Sequence, residues 1–176
     1  MSPAGPLRIR RLTPQDAAGY RALRLRALRE HPDAFTSGFE EEQAKPVDWS
    51  AQRLAASADR PYDFFLGAFK SDALLGMVGL QGRYRAKERH NATVVGMYVA
   101  PELAGQGAGL ALMRALLRQA HACEGLEQLD LSVTAGNDRA QAIYARCGFT
   151  VYGIHPDAIK VGDRYYAKVH MVLPLR

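Results

Sequence analysis

Cysteine is scarce: only Cys123 and Cys147 occur in 176 residues, without metal-like spacing. That argues against a disulfide framework and against a cysteine metal site. No apolar run approaches the ~20 residues of a spanning helix, which argues against a membrane protein. The start of the chain, Met1 to Pro6, is rich in Pro, Gly and Ala and has no apolar stretch of the kind a signal peptide needs. There is no internal repeat and no low-complexity tract. The charge is not one-sided either: 23 Lys and Arg stand against 18 Asp and Glu, a formal +5. Such a tilt favours an anionic ligand without identifying nucleic acid, and no aromatic-basic platform for nucleic acid is present. The expectation is a soluble, cytoplasmic chain.

What is present is ordinary globular material, 48% apolar and 23% charged. A chain of this length buries about 70% of its unfolded surface and forms one core. The domain is expected to span 1–176, with its core at about 7–173. Leu7–Leu12 reads as an edge strand. Thr13-Pro14-Gln15-Asp16 reads as a helix start, with Thr as cap and Pro in the first turn, and the helix runs to about Glu30. Its arginines, Arg21, Arg24, Arg26 and Arg29, read as a solvated face. A polar stretch, Thr36–Pro46, precedes a shorter helix expected over Asp48–Ala58.

After Pro61 the period changes to that of strands: Asp63–Phe69, Leu74–Leu80 and His90–Val99. Gly107 to about Cys123 is amphipathic, with Leu110, Met113, Leu117 and Ala120 on one side. Strand Gln128–Val133, helix Asn137–Arg146 and strands Phe149–Ile154 and Lys168–Leu173 complete the chain. Gly148 suits the left-handed position after a helix. Ile154–Tyr166 reads as loop and turn. The pattern is α/β or α+β, helices flanking a mixed sheet of about seven strands.

The chemistry-bearing segment is Val99-Ala100-Pro101-Glu102-Leu103-Ala104-Gly105-Gln106-Gly107-Ala108-Gly109-Leu110. A strand ends, three glycines alternate with other residues, and a helix begins. Glycines let successive N–H groups turn toward one anion, and the helix start adds unsatisfied donors and partial positive charge. It is neither a Walker loop, which needs Lys-Ser or Lys-Thr after the glycines, nor a dinucleotide fingerprint, which needs another spacing near the first strand. A plain strand-to-helix turn would also fit this segment alone.

Downstream stands Asn137-Asp138-Arg139-Ala140-Gln141-Ala142-Ile143-Tyr144-Ala145-Arg146-Cys147-Gly148-Phe149. This N-x-x-A-x-x-x-Y-x-x-x-G-F pattern, about thirty residues after the glycine loop, resembles the GNAT superfamily of acetyl-CoA-dependent N-acetyltransferases. The closing strand Val169-His170-Met171-Val172-Leu173 is similar to the ending of many bacterial members. The resemblance covers about Leu7 to Leu173. It implies a mixed, mostly antiparallel sheet of about seven strands with about four helices, acetyl-CoA as cosubstrate without a metal, and a small-molecule or peptide amine as acceptor. A homodimer is a further family-level expectation.

The family's [QR]-x-x-G-x-[GA] loop falls on Ala104, Gly105, Gln106, Gly107, Ala108 and Gly109, with Leu110 following. The resemblance assigns this backbone to the pyrophosphate of coenzyme A, and Met97, Tyr98 and Val99 to the pantetheine arm and thioester carbonyl. It assigns Asn137 to the pantetheine and Tyr144 to protonation of the leaving thiolate. As residues alone, Tyr144 fits helix packing and Asn137 fits a helix cap, readings compatible with those roles.

Two departures matter. Ala104 stands where the family carries Arg or Gln, removing a side-chain donor. Thr93, Val94, Val95 and Gly96 offer no carboxylate where many members carry a glutamate base. Base candidates then lie in Glu40, Glu41 and Glu42, with Glu41 the one chosen, or in His90, His155 and Asp157. Arg114 or Arg139 could add charge near the cosubstrate, and Cys147 reads as a small core filler. The competing reading is a non-catalytic module that binds coenzyme A or its acyl forms.

Overall fold

The computed structural model describes residues 5–176. The first four residues of the Pro/Gly/Ala-rich start, read above as no signal peptide, lie outside them. Seven strands form one sheet: β1 (Leu7–Arg11), β2 (Phe64–Lys70), β3 (Ala73–Gly82), β4 (Asn91–Val99), β5 (Gln128–Thr134), β6 (Thr150–Val161) and β7 (Arg164–Pro174). Their order is β1-β2-β3-β4-β5-β7-β6, and every neighbouring pair is antiparallel except β4 with β5. The helices are α1 (Ala17–Glu30), α2 (Phe39–Gln43), α3 (Val47–Leu54), α4 (Ala108–His121) and α5 (Asp138–Arg146). The mixed, mostly antiparallel sheet agrees with the expected class, with five α-helices among the described residues rather than about four.

Alternation along the strands feeds two layers. Phe65 turns toward α1 and α3, meeting the Tyr20 ring edge-on at 5.2 Å. Ala68 and Gly76 turn the other way, where Leu112 of α4 lies. Leu112, Met113 and Leu116 of α4 are fully buried with Leu66, Val78, Leu80 and Leu129. Truncating one of these leucines to alanine would cost about 2–5 kcal/mol.

Several boundaries differ from the sequence reading, each for a physical reason. Pro14–Asp16 forms a 3₁₀ turn ahead of α1, because Asp16 folds back to accept the Thr13 N–H at 2.8 Å and pairs with Arg10. The polar stretch contains α2, and the following helix stops at Leu54 rather than reaching Ala58. Ile154–Tyr166 is not a loop: β6 and β7 continue through it and turn only at Gly162, φ +58°. Pro156 is tolerated because β6 is the sheet edge, where a missing N–H breaks no ladder. A register shift between His155 and Ile159, with Asp157 at φ +48°, absorbs the irregularity.

Of the α1 arginines only Arg29 is exposed; the other three are not a solvated face. Arg24 is buried against Glu42, Arg21 donates to the carbonyls of Gln43 and Lys45, and Arg26 bridges Glu30 and Glu102. Helical periodicity could not reveal this, since most of those partners lie on other elements.

Candidate active site

The site begins where two strands part. β4 pairs with β5 only at Asn91–Gln128, Ala92–Leu129 and Thr93–Asp130, although β4 runs on to Val99 and β5 to Thr134. The vertex is clamped: Thr93 Oγ1 donates to Asp130 Oδ1 at 2.7 Å, and the Arg83 guanidinium pairs with Oδ2. Beyond it β5 stays bound to β7 while β4 bends away with β3.

The bend has a local cause. The β3–β4 register shifts between Met77 and Gly79, opposite Gly96, whose φ is +64°. An extra residue on one strand is a β-bulge, which re-aims that strand. A Cβ at Gly96 would stand 3.3 Å from Phe65 Cε1, in a conformation L-residues avoid. Past the bulge, Ala100 N–H bonds Leu75 C=O at 2.7 Å. Alternation along an antiparallel strand therefore turns the N–H groups of Val99 and Met97 into the open wedge.

The wedge opens between two helix starts. From β4 the chain passes a 3₁₀ turn (Pro101–Leu103), then Gly105 and Gly107 at φ +73° and +72°, into α4. Gly107 caps the helix, and its carbonyl accepts from Ala111 N–H at 3.0 Å. The amides of Ala108, Gly109 and Leu110 ahead of that bond are the helix's orphan donors, at the positive end of its dipole. Nothing lies within 4 Å of where a Cβ would stand at Gly105 or Gly107, so this backbone is open to a ligand. Gly109 is the opposite case: a Cβ there would meet Ile143 Cδ1 at 2.9 Å and Met97 Cε at 3.3 Å, so α5 packs closely on the start of α4.

Side chains brace the loop. Gln106 Nε2 donates to the Glu102 carbonyl at 3.0 Å, and Lys70 Nζ donates to Gln106 Oε1 at 2.6 Å. Lys70 is thus a cation beside the cradle that the sequence reading did not single out, because it comes from β2. Ala104 is exposed and brings no donor of its own beyond the backbone. Arg114 and Arg139 are exposed; Arg114 lines a shallow groove with Leu117, Arg118 and His121 on the outside of α4.

On α5, Asn137 Oδ1 accepts from Ala140 N–H at 3.2 Å, the capping bond its position suggested. Tyr144 is 6% exposed, with its ring edge-on to Phe149 at 6.2 Å. Burial pushes its phenol well above the ordinary tyrosine range, so it is a neutral O–H donor throughout the physiological range. Cys147 is half-buried and free, its thiol pushed up by burial, as suits a filler.

The acidic candidates fare differently from one another. Glu41 is exposed and turned back to its own helix start, accepting from Gly38 N–H at 3.5 Å. Its neighbour Glu42 is the buried one, 3.5 Å from both Arg24 and Lys45. Arg24 Nη1 in turn lies 3.7 Å from a Cβ position at Gly96, so arginine stands between that acid and the bulge. Glu40 is exposed, His90 contacts Asn91 at the far start of β4, and His155 and Asp157 sit on the edge strand.

Lys168, read only as the start of the last strand, is buried. It donates to Thr134 Oγ1 at 3.0 Å and to the Ala34 carbonyl at 3.3 Å, while Thr134 donates to the Asp33 carbonyl at 2.6 Å. The segment between α1 and α2 is thereby pinned to the C-terminal end of β5. No local pattern marks such a lysine.

Among the described residues no group of three or more His, Cys, Asp or Glu is arranged to hold a metal, and no helix is long and apolar enough to cross a membrane. Comparison with solved structures gives the same fold repeatedly. A GNAT-family acetyltransferase from Streptococcus pneumoniae superposes with a TM-score of 0.80 at 22% identity, covering 96% of this chain and 99% of that one. The protein yncA of Salmonella typhimurium, solved with its cofactor acetyl-CoA, gives 0.80 at 20% identity over 98% and 95%. The ribosomal-protein-S18-alanine N-acetyltransferase of Escherichia coli gives 0.71 at 19% over 97% and 94%. The sequence model of the acetyltransferase (GNAT) family matches residues 25–149, from α1 through the wedge and both helix starts to Phe149. On that match, the chain belongs to the GNAT family of acetyltransferases.

Proposed function

We propose that this acetyltransferase moves an acetyl group from acetyl-CoA to a primary amine by direct attack, with both substrates bound together. The observation that carries the reading is the wedge itself, where β4 leaves β5: alternation from the Ala100–Leu75 bond turns the N–H groups of Met97 and Val99 into it, and the first amides of α4 lie at its mouth. Acetyl-CoA, the family's acyl donor, supplies an activated thioester.

The residues present fit it. The open backbone at Gly105 and Gly107, with Ala108 to Leu110, suits a pyrophosphate, and Lys70 adds positive charge in place of the donor missing at Ala104. The N–H groups of Met97 and Val99 would stabilise charge developing on a carbonyl oxygen. As the acceptor nitrogen attacks, an N–C bond forms and the C–S bond breaks. Tyr144 Oη gives its proton to the departing sulfur and regains one from solvent. With Glu41 facing outward and Glu42 held behind Arg24, the amine proton leaves to water in the cleft. Asn137 caps α5 through its side-chain oxygen, keeping the helix that carries Tyr144 in place.

The test is thiol release from acetyl-CoA across a panel of primary amines, followed alongside coenzyme A binding by calorimetry. Release with at least one amine supports the transferase reading. Binding with no release from any of them overturns it in favour of the non-catalytic module.

A further inference from the structure

A second cavity, of about 280 Å³, lies between α3 and strands β2 and β3. Its walls include Trp49, Arg53, Phe65 and Gln81, with Arg60 and Asp63 at one side. It adjoins the wedge on the face opposite α4. Phe65 Cε1 is the atom 3.3 Å from the Cβ position of Gly96, and Gln81 pairs across the sheet with Thr93 of β4. A molecule with its amine at the bulge would thus extend past the Phe65 ring into this cavity.

The cavity's charge is uncompensated. Arg60 Nε pairs with Asp63 at 2.9 Å, and nearby Arg24 pairs with Glu42, so those cations are answered. Arg53 has no carboxylate within ion-pair distance among the described residues, and its buried Nε has no hydrogen-bond partner. The buried Tyr20 hydroxyl also lacks a partner of ordinary geometry, although the Arg53 guanidinium is close enough to act on it. Arg53 is instead held by rings, its Cζ 5.2 Å from Trp49 and 5.0 Å from Phe65. A guanidinium that lies against rings and is not committed to a carboxylate of its own chain can take one from a ligand.

We infer that the acceptor is an amino acid: its amine reaches the Gly96 bulge, and its carboxylate is held by Arg53 between Trp49 and Phe65. This rests on the transferase reading above. The cavity selects a substrate in which an amine and a carboxylate sit a few bonds apart.

The experiment compares glycine, leucine, 4-aminobutyrate and 6-aminohexanoate, each beside its own carboxamide, as acceptors with acetyl-CoA. For at least one pair the acid should have a KM about tenfold or more below its amide, the range of a charge-assisted hydrogen bond. Arg53→Gln should bring the pair to within about twofold by raising the KM of the acid more than that of the amide, and Arg53→Lys should retain part of the preference. The same pairs titrated calorimetrically into the coenzyme A complex read the preference without turnover. No preference in any wild-type pair, or a preference that Arg53→Gln leaves intact, overturns the subsite. Thiol release without the preference therefore rejects the subsite alone, whereas a calorimetric preference without thiol release rejects the reaction alone. Should Arg53→Gln not fold, Arg53→Lys and the wild-type ratios still decide.

Discussion

Tyr98 Oη donates to Glu30 Oε2 at 2.5 Å, while Glu30 Oε1 and Glu102 Oε1 each accept from Arg26 at 2.7 Å. One charged cluster therefore ties the strand just past the bulge to the end of α1 and to the turn that enters the glycine loop. Burial, then the hydrogen bond to Glu30, pushes the Tyr98 phenol far up, so it remains a donor at any working pH. Tyr98→Phe should cost about 1 kcal/mol, or ~2–4 °C in melting temperature. In a double-mutant cycle with Glu30→Gln the two changes should be non-additive by about 0.5–1 kcal/mol. Additive melting shifts would show that the bond contributes nothing.

Gly107 tests the anion cradle. With φ at +72° and open space around it, Gly107→Val should lose about 1–2 kcal/mol from backbone strain alone. It should also weaken coenzyme A binding about tenfold or more as the orphan amides turn away. Gly148, at φ +94° after α5, is the control. Gly148→Ala should lower the melting temperature while leaving the calorimetric affinity for coenzyme A unchanged.

Tyr144→Phe should reduce kcat by about tenfold to a hundredfold, with unchanged affinity for coenzyme A, if its hydroxyl supplies the departing proton. With no protein base at the amine, kcat/KM should climb about tenfold per pH unit below the acceptor's own pKa, about 10 for a lysine-like amine. A plateau near neutral pH would reveal a protein base, and an unchanged kcat in Tyr144→Phe would remove the acid.

Asp16 carries an acid-sensitive part of stability. Hydrogen bonds from Arg10, at 2.8 Å to each oxygen, and from Thr13 N–H hold its carboxyl down to about 2. The folded value lies below the ordinary 3.9 or so, so the stabilisation is full above about pH 4 and is lost as pH falls through about 2. Asp16→Asn should therefore melt about 2–4 °C lower than wild type at pH 7, from the loss of about 1 kcal/mol. The gap should close between pH 4 and 2. A gap that persists at pH 2 would refute the assignment.

Lys168→Met should release the segment between α1 and α2, raising amide hydrogen exchange over 33–37 by about tenfold, the loss of one charged hydrogen bond. Burial lowers the Lys168 amine, so its unfolded state binds more protons in the window from the lowered folded value up to about 10.4. Wild-type stability should accordingly rise with pH across that window relative to Lys168→Met. Unchanged exchange in the segment would mean that Thr134 alone pins it.

Local chemistry was legible in the chain. The strand–glycine–helix passage at Val99–Leu110 and the Asn137–Phe149 motif marked the two helix starts, because glycine conformation, caps and helical periodicity act within a few residues. The Gly148 cap and the edge position of β1 followed in the same way. The acidic run was legible only as a run: Glu41 and Glu42 look alike in sequence, yet one caps α2 and the other is buried on Arg24. Which side a short helix turns inward depends on what the rest of the chain presents to it.

By itself, then, the sequence determined the layered class, the family and the strand–glycine–helix passage at Val99–Leu110. Tertiary structure alone decided the parting of β4 from β5 at Thr93 and Asp130, Lys70 beside the loop, Lys168 under the α1–α2 segment, and Arg53 against Trp49 and Phe65 with its buried Nε unpartnered. The physical reason is range. Propensity and capping are contacts between near neighbours, whereas an ion pair or an orphaned guanidinium depends on which distant elements the sheet brings together, and no residue carries that information alone.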